Sequence, residues 1–340
     1  MEALPMKRVA INGFGRIGRA FFRLAFGNPE IEIVAINDPF FKLDMARYLL
    51  MNDSVYGKYG KIVEVVDGGL SVDGTTIKFL AEREPDQLPW GELDIDLVVE
   101  ATGVFRAYSG PKGASRHIQG GAKRVLLSVP SKGEGAEKIP QIVYGVNHHL
   151  IADQDVVSAA SCTTNSLVPV MHVLEKEFDI AHAFLSTIHG YTADQQLVDG
   201  MHGSMSRSRA AAINIIPTTT GAASATEKVI PSLAGRMDGI AFRVPVPTGS
   251  VSDITLEMKQ PVTSEEVNAM LKRYAANELA GILKVSSDPL VSTDIIGESH
   301  PSIVDLTQTS VVDGRMLKVV AFYDNEWGYT NQLLRVALQL

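Results

Sequence analysis

Residues 9–26 read VAINGFGRIGRAFFRLAF, and the order of parts in that stretch decides the fold. A short β-branched strand, Val9 to Asn12, runs into Gly13-Phe14-Gly15-Arg16-Ile17-Gly18 and then into a helix-forming run rich in Phe, Ala and Leu. Strand, GxGxxG and helix in this order open a Rossmann βαβ unit. The glycines let the backbone turn tightly and approach a pyrophosphate, whose charge sits among the unpaired N–H groups of the helix N-terminus. About twenty residues further on, Asp38 closes the second strand IEIVAIN. A carboxylate there can accept both ribose hydroxyls of NAD and would repel a 2′-phosphate. Each part has a plainer reading, the glycines as a tight turn and Asp38 before Pro39 as a turn residue. Together they predict a dinucleotide site.

Working outward, KRVAIN, IEIVAIN, LDIDLVVEATG, KRVLLSVPS and DVVSAAS alternate with amphipathic stretches, which predicts parallel strands joined by crossover helices. Between them Lys61 to Phe79 alternates apolar and polar residues around Gly68-Gly69 and Asp73-Gly74, predicting an antiparallel excursion at the sheet edge. Beyond Cys162 a helix from about Asn165 to Phe178 leads into the strand FLSTIHG, and a second domain begins. Strands over Gly239–Val244, Ser252–Met258 and Leu317–Tyr323 follow, with helices over Ser264–Glu278 and Tyr329–Leu340. The fold class expected is α/β: a Rossmann-type parallel-sheet domain, 1–161, completed by a C-terminal helix over 325–340, plus an α+β catalytic domain, 162–324, with a mixed or antiparallel sheet. Residues 1–5 read as a short frayed extension.

At 340 residues the chain suits two cores, and 45% hydrophobic with 21% charged residues sets disorder aside. A net charge of −8 without Lys/Arg clusters argues against nucleic acid, so the expected partners are small molecules. No apolar stretch is long enough for a membrane span and no signal core follows Met1, which predicts a cytoplasmic protein. The single cysteine excludes an internal disulfide framework and a multi-thiolate zinc site.

That cysteine stands in Ser161-Cys162-Thr163-Thr164-Asn165-Ser166, between a strand and a helix. A helix N-terminus lowers a thiol pKa and enriches the nucleophilic thiolate. A free cysteine is more often a buried structural residue, but its neighbours here all carry hydroxyl or amide side chains. The partner base expected is His189, at the end of FLSTIHG beside Gly and Thr; His148, His149, His182 and His202 read as surface residues. On spacing alone His189 could equally be structural.

These segments carry a specific resemblance. NGFGRIGR, ASCTTNS, STIHGYTADQ, NIIPTTTGAA, FRVPVPT and YDNEWGY resemble glyceraldehyde-3-phosphate dehydrogenase of the phosphorylating, bacterial type, in family order and over essentially the whole chain. The interval from Cys162 to His189 is the one that family keeps between nucleophile and base. The resemblance implies a Cys162 hemithioacetal, hydride transfer to NAD, and a thioester attacked by inorganic phosphate, in glycolysis and gluconeogenesis. It implies a substrate-phosphate site at Thr192, Asp194 and Arg243, and an attacking-phosphate site at Ser161, Thr163, Thr220 and Gly221. The cofactor would be lined by Asn12, Gly13, Phe14, Gly15, Arg16, Ile17, Gly18, Asp38, Arg83, Thr102, Ser128, Asn325 and Tyr329, with Asn325 on the nicotinamide carboxamide. It further implies a homotetramer in which the long loop Gln195–Asn214 reaches toward a neighbour's cofactor.

Three departures stand out. Ser166 replaces the second cysteine usual after TTN. Gly200 and Met201 replace residues that help exclude NADP while Asp38 remains, so NAD preference with some NADP use is expected. Thr248-Gly249 replaces an Asn-Val pair, which the sequence does not translate into function. Erythrose-4-phosphate dehydrogenase shares the fold and the Cys and His roles and is the close alternative; a binding protein that kept the fold and lost the chemistry is the distant one.

Overall fold

The computed structural model describes residues 6–340, and the expected N-terminal extension, residues 1–5, lies outside them. The chain divides into two compact units. One comprises the chain up to Ile142 with His148–Ala160 and Thr330–Leu340; the other comprises Val143–Asn147 and Ser161–Tyr329.

The first unit is built on an eight-stranded sheet in the order Val156–Ser158, Arg124–Leu127, Leu97–Glu100, Lys7–Asn12, Ile31–Asn37, Thr75–Leu80, Gly69–Val72, Val63–Val66. The first six are parallel neighbours. The last two turn back antiparallel through Gly68 and Gly74, so the excursion sits at the sheet edge as expected. The helix Arg16–Ala25 buries Phe21, Phe22 and Ala25. Phe14, inside the glycine loop, is fully buried and meets Phe22 and Phe79 edge-on at 6.0 and 6.2 Å. Burying one such ring stabilises the fold by about 1.5–3 kcal/mol and anchors the loop to the core.

The second unit carries a mixed sheet in the order Ile216–Thr219, Met237–Val244, Ile180–Gly190, Ser250–Met258, Met316–Tyr323, Ser302–Asp305, Leu283–Ser286. Ser310–Val312 pairs with Met316–Tyr323. Ile180–Gly190 is parallel to Met237–Val244 and antiparallel to Ser250–Met258. That register puts His189 beside Arg243. The helix Ser264–Ala276 opens with a capping box between Thr263 and Glu266, and ends two residues before the expected Glu278. The final helix, Trp327–Gln339, starts before the expected Tyr329, because the Asp324 side chain accepts the Glu326 and Trp327 amides at 2.9 and 2.8 Å and nucleates its first turn. Among the described residues no helix is long and apolar enough to cross a membrane.

Candidate active site and dinucleotide cradle

In the first unit the ends of three parallel strands meet at the glycine loop. Gly13 takes φ 95°, and a Cβ there would lie 2.7 Å from the Thr102 amide nitrogen, so only glycine fits. Gly18 is equally constrained, since a Cβ would stand 2.0 Å from the Gly13 carbonyl oxygen. Gly15 differs: a Cβ there would meet nothing within 4 Å. It is the N-cap of Arg16–Ala25 and no side chain caps that helix. Open space over uncapped N–H groups fits a pyrophosphate.

Asp38, expected at the ribose, is buried beside this loop and holds two backbone amides. Its Oδ2 accepts the Phe14 amide at 2.9 Å and its Oδ1 accepts the Phe40 amide at 3.0 Å. Lone pairs remain on both oxygens for a ligand. Arg16 turns its guanidinium to Asp53 at 2.8 Å, leaving its backbone at the loop. Arg83 lies 5.0 Å over the exposed Phe40 ring. Ser128 is buried, its amide donating to the Glu100 carbonyl at 3.0 Å.

Beneath the loop runs a buried polar network that sequence reasoning missed. Trp90 Nε1 donates to His117 Nδ1 at 3.0 Å. An indole N–H can only donate, so the His117 proton sits on Nε2 and goes to Glu100 Oε2 at 3.1 Å. Glu100 also accepts Asn12 Nδ2 at 2.5 Å and the Thr102 amide at 2.8 Å, and Asn12 Oδ1 accepts Asn37 Nδ2 at 2.7 Å. The ends of the strands carrying Asn12, Asn37 and Glu100 are thereby tied together under the cradle.

In the second unit, Cys162 is the first residue of the helix Cys162–Phe178, which starts three residues before the expected Asn165. The N-cap is Ser161, whose Oγ accepts the Thr164 amide at 3.1 Å. A cap of this kind contributes about 1 kcal/mol. Just before it, Ala160 takes φ 57°, a left-handed conformation that a residue with a side chain adopts at a cost of about 1–3 kcal/mol.

Cys162 Sγ lies 3.4 Å from His189 Nε2. On the other side of the ring, Nδ1 lies 2.6 Å from the Gly190 carbonyl oxygen. Two groups make opposite demands on Nδ1: the Gly190 carbonyl can only accept, and Arg243 Nη1, 2.9 Å away, can only donate. The shorter carbonyl contact favours the proton on Nδ1, which turns the Nε2 lone pair to the thiol, and Nη1 then gives its hydrogen to Gly190 O at 3.1 Å, reaching Thr192 Oγ1 at 3.5 Å. Burial and then the Arg243 charge pull His189 down to about 3, so the ring is a neutral acceptor.

The thiol corrects an expectation. Its position at a helix start predicted a lowered pKa; burial instead pushes Cys162 up, against the opposing pull of Arg243 and the Thr163 hydroxyl. The residue is partly exposed, but the sulfur is densely surrounded, and desolvation of a thiolate outweighs the local terms. The resting pair is therefore a thiol facing a neutral imidazole. Tyr329, buried nearby, is also pushed up by burial and by the charge Cys162 would carry.

Of the expected phosphate ligands, Thr163 turns its hydroxyl to Tyr323 at 2.9 Å, with Cys162 Sγ at 4.0 Å. Thr220 Oγ1 accepts the Ala222 amide at 3.2 Å, and Gly221 caps the helix Ala222–Val229 without a side chain to close its N-terminus. Asp194 is paired with Arg207 at 2.7 Å and His202 at 3.4 Å. An acid so engaged is placed to orient Arg207. Arg207, unassigned from the sequence, also bonds Thr218 Oγ1 at 2.9 Å, next to Thr220. Tyr323, likewise missed, is fully buried between Thr163 and Thr187, 2.9 Å from each hydroxyl, with its ring edge-on to His189. His202 is half-buried rather than a surface residue, because Asp194 and the Ser204 amide hold it.

Comparison with known proteins decides the family. The glyceraldehyde 3-phosphate dehydrogenase NAD binding domain matches residues 7–108, and the C-terminal domain of the same family matches residues 161–325. The chain belongs to the glyceraldehyde-3-phosphate dehydrogenase family. It is 48% identical to glyceraldehyde-3-phosphate dehydrogenase of Haloarcula vallismortis, over 97% of each chain. It is 48% identical to that of Borreliella burgdorferi, over 98% of this chain and 99% of the relative, and 46% identical to glyceraldehyde-3-phosphate dehydrogenase 1 of Bacillus subtilis, over 97% of each. With its NAD-binding Rossmann domain, the chain is an NAD-dependent glyceraldehyde-3-phosphate dehydrogenase enzyme of glycolysis. The erythrose-4-phosphate and non-catalytic alternatives are disfavoured accordingly.

Proposed function

We propose that Cys162 is the nucleophile and His189 the base of this dehydrogenase, and that phosphate completes the reaction. The observation that carries this reading is the 3.4 Å approach of Sγ to the lone-pair face of a neutral imidazole. As sulfur bonds the aldehyde carbon, the thiol proton passes to Nε2 and returns to the former carbonyl oxygen, giving a hemithioacetal. Bound NAD supplies the hydride acceptor. Nε2 takes the hydroxyl proton as the hydride departs, leaving a thioester. A phosphate oxygen then attacks the acyl carbon, and the proton goes back to the departing sulfur.

Two anions must be held. For the substrate phosphate we favour Arg243 with Thr192; Arg243 Nε is buried and finds no acceptor among the described residues, which supports an anion-holding role. For the attacking phosphate we favour Ser161, Thr163, Thr220, Gly221 and also Arg207, whose bond to Thr218 supports this, with Asp194 orienting that arginine. Asn12 through Gly18, Asp38, Arg83, Thr102, Ser128, Asn325 and Tyr329 are the proposed cofactor residues, and Asp38 favours NAD over NADP. Leu197, Val198, Met201, Met205 and Ile213 on the long loop, with Ile215 just past it, are between 69% and 97% exposed and give an apolar rim. Such a rim supports burial against another copy, in a cytoplasmic homotetramer. The test is phosphate-dependent, reversible NADH formation from glyceraldehyde 3-phosphate. Cys162→Ser should abolish it while leaving NAD binding intact; retained turnover overturns the mechanism.

A further inference from the structure

The Thr248-Gly249 pair that departs from the family pattern has a use. Gly249 takes φ 90°, and a Cβ there would lie 2.6 Å from the Ser292 carbonyl oxygen, so the position admits no side chain. Its amide donates to Asn325 Oδ1 at 3.1 Å. A backbone N–H can only donate, so the atom it meets is the amide oxygen, and the Asn325 carboxamide has one orientation. Ser250, fully buried, completes the arrangement. Its oxygen accepts the Gly190 amide at 3.1 Å, and its single proton goes to Asn325 Oδ1 at 3.0 Å. Thr248 Oγ1 lies 3.2 Å from both Asp324 Oδ1 and Asn325 Oδ1; its one proton prefers the carboxyl group. Gly249 and Ser250 thus fill both lone pairs of the oxygen. Asn325 Nδ2 meets no acceptor among the described residues.

We infer that Ser250 is a positioning residue for hydride transfer: with the Gly249 amide it holds the Asn325 carboxamide so that the NH2 is left for the nicotinamide carboxamide oxygen. The same hydroxyl ties that anchor to Gly190, the neighbour of His189. This rests on the proposed role of Asn325. A buried hydroxyl with only a structural role would move stability and leave cofactor parameters alone.

The experiment compares Ser250→Ala, Ser250→Thr, Asn325→Ala and the Ser250→Ala/Asn325→Ala double variant in the full-length enzyme. Readouts are KM for NAD, KM for glyceraldehyde 3-phosphate, melting temperature, and the fraction of deuterium delivered from the wrong nicotinamide face using 4-deuterated NADH in the reverse direction. Losing one hydrogen bond to a neutral amide should raise KM for NAD about three- to tenfold in Ser250→Ala. KM for the aldehyde should hold, and wrong-face transfer should become measurable. The Thr variant, which keeps the hydroxyl, should recover most of the KM for NAD lost in Ser250→Ala, whatever the added methyl costs in melting temperature. In the Asn325→Ala background Ser250→Ala should add nothing, because Ser250 acts through Asn325. An unchanged KM for NAD with only a lower melting temperature, or an equal effect in the Asn325→Ala background, overturns the inference. An Asn325→Ala variant with parental KM for NAD would instead sink the Asn325 role beneath it.

Discussion

Gly15→Ala separates the cofactor cradle from the fold. A Cβ at this position meets nothing within 4 Å, and the backbone there, φ −68° and ψ −160°, is extended and open to side chains. Stability should therefore hold within about 0.5 kcal/mol, the unfolded state losing a little entropy in the bargain. The methyl does stand where an anion would approach the first amides of Arg16–Ala25. Holding a phosphate oxygen back by about 1 Å stretches an N–H···O contact from about 2.9 Å to beyond hydrogen-bond range. Each charge-assisted bond lost costs about 1.5–3 kcal/mol, so losing one weakens NAD by roughly 10- to 200-fold and losing two by more. Gly18→Ala is the control. Its Cβ begins 2.0 Å from the Gly13 carbonyl oxygen, so the helix must shift, and both stability and NAD affinity should fall. Calorimetric NAD titration beside thermal melting reads both quantities. Parental NAD affinity in Gly15→Ala would refute the cradle; a melting temperature lowered by more than about 4 °C would refute the steric argument.

His189→Asn should lower kcat about 10²- to 10⁴-fold with little change in melting temperature, measured by steady-state kinetics; a loss below tenfold would remove it as the base. Because the Arg243 charge lowers the His189 pKa, Arg243→Gln should move the midpoint of the His189 ring upward in an NMR titration, and an unmoved midpoint counts against that coupling. Burial acts to raise Glu298, but its bonds to His300 and Lys284 prevail and bring the carboxyl down to about 2. A carboxyl depressed on folding stabilises above its unfolded value and loses that contribution as pH falls toward the folded one. Glu298→Gln should therefore cost about 1–2 kcal/mol near neutrality and nothing near pH 2, by denaturant melts across that window. Met201→Glu with Met205→Glu should shift sedimentation toward smaller species if the loop rim is an interface; unchanged sedimentation counts against it.

What could be read from the sequence was whatever lies within one contiguous segment. The glycine loop with Asp38, the edge hairpins and the Cys162 block each hold their meaning in neighbouring residues, because tight turns, helix starts and strand alternation are local. Arg207 and Tyr323 had no such mark. Their partners, Asp194 and Thr218 for one, Thr163 and Thr187 for the other, are brought to them only when the second sheet closes. The same limit explains the thiol. A helix start is a local feature and argues for a lower pKa, but the dense packing around Sγ comes from the whole unit and reverses the direction. On the proposed mechanism, activation of Cys162 then comes from a group that acts across elements. His189 Nε2, 3.4 Å away and kept neutral by burial and by Arg243, would accept the proton as the bond to carbon forms, so that mechanism needs no standing thiolate.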